Sequence, residues 1–77
     1  MMDESVAALR KSVEMISNEI QISQKLSEQG LFSIVELSRL RRQENDLNQQ
    51  ITERLNKFRA DANAEVVRIE KIGRAHV

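Results

Sequence analysis

The chain has 77 residues, of which 40% are hydrophobic and 31% charged, with two phenylalanines and no tryptophan, tyrosine, proline or cysteine. A short chain with so few aromatic residues is unlike a conventional globular domain, and its composition is typical of long amphipathic helices. The formal net charge of zero argues against nucleic acid as the main partner, and the lack of cysteine excludes disulfides and thiolate metal sites.

The first predicted element is a helix over about residues 4–29. Its apolar residues recur at alternating spacings of three and four, which places one apolar seam along the helix. The seam consists of Val6, Leu9, Val13, Ile16 and Ile20. Near the end of the helix the apolar residues shift to Ile22 and Leu26, so we expect the buried stripe to rotate there.

Residues 30–33 are predicted to form the tip of a helical hairpin. Gly30 is the only glycine before Gly73, and a glycine where a helical pattern stops suits a helix C-terminus with positive φ. In that position Leu26 and Leu31 form the apolar pair that accompanies a Schellman ending.

The residues after the tip carry the signals of a helix start. Ser33 and Glu36 have the spacing of a capping box, in which each side chain accepts from the other residue's amide. Phe32 and Leu37 have the spacing of a hydrophobic staple. The stop and start signals together predict a tight turn between two helices.

The second helix is predicted over about residues 34–71. Its apolar face consists of Leu37, Leu40, Leu47, Ile51, Leu55, Phe58, Ala62, Val66 and Ile69. From Leu47 onward the spacing repeats every eleven residues, which indicates a nearly straight helix pair.

The two apolar faces match each other when the chain is folded back at the tip. The expected pairs are Leu26 with Leu37, Ile16 with Leu47, Val13 with Ile51, Leu9 with Leu55, and Val6 with Phe58. The sequence therefore predicts an all-α fold, a two-helix antiparallel coiled-coil hairpin. Val66 and Ile69 lie beyond the reach of the first helix, so we expect an N-terminally truncated hairpin with an unpartnered apolar face.

The last six residues form a separate segment. The sequence IGRAHV over residues 72–77 resembles the translation of a common sequencing adapter. We expect it to be a non-native tail, and its His76, the only histidine in the chain, is not interpreted as a catalytic or metal-binding residue.

Chemically reactive groupings are scarce, so no enzyme activity, cofactor or metal site is predicted. Glu36, Glu44 and Asp46 fit capping and solvation. Arg39, Arg41 and Arg42 form a basic cluster that is either a solvated helix face or a partner contact. No apolar run approaches the ~18 residues of a membrane span, so no direct membrane contact is expected.

The tip and the start of the second helix resemble the hairpin tip of the HlyD-type membrane fusion proteins, the periplasmic adaptors of type I secretion systems. The similar residues are Leu26, Gly30, Ser33, Glu36, Leu37, Arg39, Leu40, Arg42, Asp46 and Leu47. The arginine that the family's tip pattern has one turn before Leu26 is Ile22 here.

The resemblance implies a function in transport. It implies a periplasmic hairpin of an inner-membrane-anchored protein, assembled as a homo-oligomer, which docks by its tip onto a TolC-like outer-membrane channel and serves an ABC transporter through parts absent from this chain. The docking tip would consist of Leu26, Gly30, Leu31, Phe32 and Ser33. The alternative is a free-standing helical hairpin for dimerisation or nucleic-acid binding.

Overall fold

Two long helices form the whole of the described structure. The computed structural model describes residues 4–75 and the side chains of residues 4–73. Helix α1 spans Glu4–Glu28 and helix α2 spans Ile34–Ala75, and the molecule measures 72 × 19 × 12 Å. The two helices pack against each other in an extended hairpin, which confirms the predicted all-α fold.

The buried face of α1 follows the predicted seam and then departs from the prediction near the tip. Val6, Ile16 and Ile20 are buried. The next buried residue is Ser23, whereas Ile22 is 62% exposed. The prediction that the seam rotates onto Ile22 was therefore wrong. The three-four spacing continues through a serine, because the geometry of helix packing selects the position even where the residue there is polar.

The buried apolar cluster of the hairpin lies towards the tip. Ile16 and Ile20 of α1 form an apolar cluster with Leu37 of α2. Three half-buried residues pack on this cluster, namely Phe32, Leu40 and Leu47. The predicted proximity of Ile16 and Leu47 is thus confirmed, and the cluster joins both helices to the corner between them.

Polar contacts between the helices occur near both ends of α1. Near the tip, Nη2 of Arg41 donates to Oε1 of Gln24 at 3.3 Å. At the other end, Nη1 of Arg54 donates to Oγ of Ser5. Each arginine crosses from α2 to α1, so the two contacts join the helices near both ends of α1.

The second half of α2 extends beyond α1. Every residue from 56 to 73 is exposed, and we call this segment the overhang. Phe58 is 57% exposed although Val6 is only 2% exposed. The predicted pair of Val6 with Phe58 therefore does not bury the phenylalanine, and the covered seam of α2 ends at the half-buried Leu55.

Helix α2 also continues past its predicted end at about residue 71. It runs through Gly73 to Ala75, and among the described residues Gly30 is the glycine with positive φ. Gly73 is tolerated because a glycine weakens a helix interior by only about 1 kcal/mol relative to alanine. The last two residues of the predicted non-native tail, His76 and Val77, lie outside the described residues.

Candidate docking tip

The end of α1 has the hydrogen bonds of a Schellman motif. The Leu31 amide donates to the Leu26 carbonyl at 2.8 Å, and the Gly30 amide donates to the Ser27 carbonyl at 3.0 Å. Gly30 has a φ of 73°, a conformation that costs a residue with a Cβ atom about 1–2 kcal/mol. The predicted helix ending is confirmed in its backbone geometry.

The start of α2 is capped by one side chain instead of two. Oγ of Ser33 accepts from the Val35 amide at 3.2 Å and from the Glu36 amide at 3.5 Å. The Glu36 carboxylate does not return to the Ser33 amide, because its Oε2 lies 3.3 Å from Nη2 of Arg39. The predicted capping box is therefore wrong in its second half, and Ser33 alone caps the helix.

Two of the five predicted tip residues face inward. Phe32 packs on the cluster of Ile16, Ile20 and Leu37, which is the arrangement expected of a staple with Leu37. Leu26 is half-buried. These side chains hold the corner against the hairpin, so they contribute to its shape more than to its outer surface.

The outer surface of the tip is apolar. Leu31 is 69% exposed, Ile34 73% and Val35 72%, and we call these three residues the tip patch. Leu31 lies in the corner, and the other two occupy the first turn of α2 ahead of the buried Leu37. Because Leu31 is so exposed, its predicted contact with Leu26 covers little of it.

Sequence reasoning placed Leu31 in the tip but missed Ile34 and Val35. The position of Ile34 and Val35 relative to the seam could have indicated their exposure. The seam of α2 begins at Leu37, and apolar residues in the first turn before it have no opposite residue in a hairpin this tight. Two β-branched residues at solvent-exposed helix positions also have no advantage in helix propensity.

The three arginines of the predicted basic cluster have different surroundings. Arg39 pairs with Glu36, and Arg41 is bound to Gln24. Arg42 is exposed. Two of the three guanidinium groups thus have partners within the hairpin, and all three lie on α2 behind the tip patch.

The described residues contain neither a candidate metal-binding group nor a candidate membrane span. Over residues 4–75, no group of three His, Cys, Asp or Glu side chains is placed to hold a metal ion. Within the same range, neither helix has an apolar stretch long enough to cross a bilayer. The chemistry available at the tip is apolar contact and hydrogen bonding.

Comparisons of the chain with protein families, with curated proteins and with solved structures gave no match. By its fold the chain is a two-helix extended hairpin with an exposed apolar tip, and neither the structure nor the comparisons place it in a narrower group.

Proposed function

We propose that the chain is a protein-binding hairpin that docks by its tip, as the resemblance to the HlyD-type periplasmic adaptors implies. The observation that supports this proposal is the tip patch. Three aliphatic side chains within five residues remain about 70% exposed, on a corner that the Schellman bonds and the Phe32 contact hold in one shape. A rigid apolar surface at the end of a long arm suits contact with another protein.

The size of the patch sets the strength of such a contact. Full burial of an aliphatic side chain contributes about 1.5–3 kcal/mol, so covering the exposed 70% of three of them contributes roughly 3–6 kcal/mol. The loss of freedom on association costs a comparable amount. One tip would therefore bind weakly, and several tips acting together on one oligomeric channel would bind well. A homo-oligomer of hairpins on a TolC-like channel has this arrangement.

The partner in this proposal is the outer-membrane channel, and the hairpin belongs to the periplasmic part of an inner-membrane-anchored adaptor that works with an ABC transporter. No catalytic step is proposed. Ser33 caps α2 through an exposed hydroxyl, so it is available for a hydrogen bond to the channel, while Leu26, Gly30 and Phe32 act by shaping the corner.

The test compares two variants with the same change of charge. Leu31→Asp places a carboxylate in the tip patch, and Met15→Asp places one on α1 away from the tip, at a residue that is 65% exposed. A third variant, Val35→Asp, lies in the first turn of α2, where an acidic residue stabilises the helix through its dipole. None of the three is expected to unfold the hairpin.

Residues 4–71 of each variant would replace the hairpin of a complete adaptor, and secretion and cross-linking to the channel would be measured. Leu31→Asp and Val35→Asp should each lower channel cross-linking at least about tenfold, because a docked charge loses its hydration. Met15→Asp should leave it unchanged. Full secretion by Leu31→Asp and Val35→Asp would contradict the proposed tip contact.

The alternative role in nucleic-acid binding depends on the basic cluster. Two of its arginines are already bound to Glu36 and Gln24, which leaves Arg42 as the main contact for a phosphate. A gel-shift assay with the Arg39, Arg41 and Arg42 residues all changed to alanine separates the two roles. Loss of a shift in this triple variant would favour the nucleic-acid role, whereas channel docking predicts no shift for the parent chain.

A further inference from the structure

The overhang carries an apolar stripe that no described part of the chain covers. The stripe consists of Phe58, Ala62, Val66 and Ile69, and its three large members are between 53% and 59% exposed. It continues the line of the seam that α1 covers up to Leu55. Phe58 also lines an open depression with Arg54, Lys57 and Asp61, close to the point where Arg54 contacts Ser5.

We propose that the overhang of one chain pairs with the overhang of a second copy, antiparallel, about a twofold axis that passes between Ala64 and Glu65. In this arrangement the two stripes interdigitate, and Phe58 of one copy lies about two residues, or ~3 Å along the helix axis, from the level of Ile69 of the other. The hairpins then extend in opposite directions, and both tips remain free. The proposal concerns a different surface from the tip patch and does not depend on channel docking.

The charges beside the stripe carry the argument for a second copy. Arg59 follows Phe58 and Glu70 follows Ile69, so both lie on the same flank of the stripe, eleven residues or three helical turns apart. In an antiparallel pair with a perpendicular twofold axis, like flanks meet. Since Arg59 and Glu70 are equally distant from the proposed axis, each Arg59 faces the Glu70 of the other copy.

The opposite flank is complementary about the same axis. Asp61 precedes Ala62 and Arg68 precedes Ile69, seven residues or about two turns apart. They too are equally distant from the axis, so each Asp61 faces the Arg68 of the other copy. One register therefore gives four ion pairs on two flanks, and such complementarity fixes alignment and partner choice.

Glu65 is the charged residue nearest the axis, where the two copies bring their Glu65 side chains towards each other. Its carboxylate is held by Arg68 of its own chain at 2.6 Å. This pair is exposed, so the arginine is able to contact Asp61 of the second copy from the same position. Each of the two Arg68 side chains then lies between its own Glu65 and the Asp61 of the other copy, which offsets part of the repulsion at the axis.

The packing of α1 on α2 excludes a parallel pair of overhangs. In a parallel pair each residue faces its own equivalent, so residues 34–55 of the second copy would occupy the side of α2 on which α1 packs. In the antiparallel pair the two overhangs face only each other.

The overhang of 18 residues is about 27 Å long and a helix is about 10 Å across, giving a footprint of roughly 270 Å² per copy. This is below the ~800 Å² per partner of a stable complex, so the dimer is expected to be weak and dependent on concentration.

Charge exchange tests the register. Sedimentation equilibrium from about 10 µM to about 1 mM should show a monomer-dimer equilibrium for the parent chain. Arg59→Glu should raise the dimer Kd about five- to tenfold, and the double variant Arg59→Glu with Glu70→Arg should restore it. These positions are exposed, so both variants keep the hairpin, which circular dichroism would verify. A monomer throughout the range, or a double variant as weak as the single one, would overturn the proposal and assign the stripe to another occupant.

Single cysteines test the direction of pairing, since the chain contains none. In the antiparallel pair the two copies of residue 65 are one residue apart along the helix axis, so Glu65→Cys should form a disulfide-linked dimer on mild oxidation. The two copies of residue 62 are about 7.5 Å apart along the axis alone, beyond the usual reach of a disulfide. Ala62→Cys should therefore remain monomeric on a non-reducing gel. Efficient linking of both variants would indicate a parallel pair and refute the proposal.

Discussion

The seam at the tip end of α1 can be tested with two isoleucines that are two residues apart. Ile20 is 9% exposed and packs with Ile16 and Leu37, whereas Ile22 is 62% exposed. Changing either residue to alanine removes three carbon atoms. The two substitutions have the same chemistry and differ in burial, so each is the control for the other.

Burial sets the expected difference in unfolding free energy. Three buried carbons contribute about 2.4 kcal/mol at ~0.8 kcal/mol each, and alanine regains about 0.4 kcal/mol through its helix propensity. Ile20→Ala should therefore cost about 2 kcal/mol, with more if the cluster leaves a cavity. Ile22→Ala should cost roughly 0.5 kcal/mol, because most of its side chain is already in water.

Thermal unfolding followed by circular dichroism at one fixed concentration measures both variants. With ~4–8 °C of Tm per kcal/mol for a chain of this size, Ile20→Ala should lower Tm by roughly 10 °C or more, and Ile22→Ala by only a few degrees. An osmolyte that favours burial can be added to all samples if the baseline of the folded state is too short. Equal losses for the two variants would mean that the seam does turn onto Ile22, as the spacing of apolar residues suggested, and that the described packing near the tip is wrong.

Other predictions concern the corner and the end of the chain. Ser33→Ala should cost about 1 kcal/mol of unfolding free energy, because the Val35 and Glu36 amides lose their acceptor. Glu36→Gln should change the unfolding free energy by less than about 0.5 kcal/mol, because the carboxylate does not complete a capping box. A larger loss for Glu36→Gln in chemical denaturation would show that the carboxylate does cap the helix. Gly30→Val should cost more unfolding free energy than Ser33→Ala, because a β-branched residue resists the φ of 73° at this position. Crowding does not contribute, since apart from the chain neighbours no atom lies within 4 Å of a Cβ placed on Gly30. A loss of less than about 1 kcal/mol would show that the corner relaxes to another conformation. Deletion of residues 72–77 should alter the unfolding free energy by less than about 1 kcal/mol, because Ile72 is 51% exposed and every residue from 56 to 73 is exposed. A greater loss would mean that the segment is part of the fold. Helicity should rise with protein concentration, because the narrow seam barely offsets the conformational entropy of the two helices, and a sharp thermal transition that is independent of concentration would refute this.

Local signals with a geometric cause were predicted well from the sequence. The end of α1 is one example, since Gly30, Leu26 and Leu31 have the spacing that a Schellman motif requires, and its hydrogen bonds are present. The proximity of Ile16 and Leu47 is another, because it follows from two long apolar patterns that face each other in an antiparallel hairpin. Such features depend on residues that are close in sequence or on a pattern repeated many times.

Features decided by competition between neighbours were not predicted. Glu36 had two possible partners, and Arg39 competes with the Ser33 amide for its carboxylate. Ser23 is buried in place of Ile22 because helix packing fixes the angular position of the seam before it selects the residue there. The exposure of Ile34 and Val35 depends on where α1 ends relative to α2, which is a property of the folded corner.

The exposed apolar surface of this hairpin is divided between its two ends, and the division makes the two proposals independent. Leu37 is buried at the start of the seam and Leu55 is half-buried at its end, so the tip patch and the overhang stripe are separated by about 27 Å of covered seam, at 1.5 Å per residue. Substitutions separated by more than about 10 Å and without shared partners have additive effects. Leu31→Asp should therefore leave the dimer Kd unchanged, and Arg59→Glu should leave contact with the channel unchanged. If Leu31→Asp changes the dimer Kd, or Arg59→Glu changes contact with the channel, the two surfaces are not independent. The proposed boundaries of the docking tip and of the paired overhang would then be wrong.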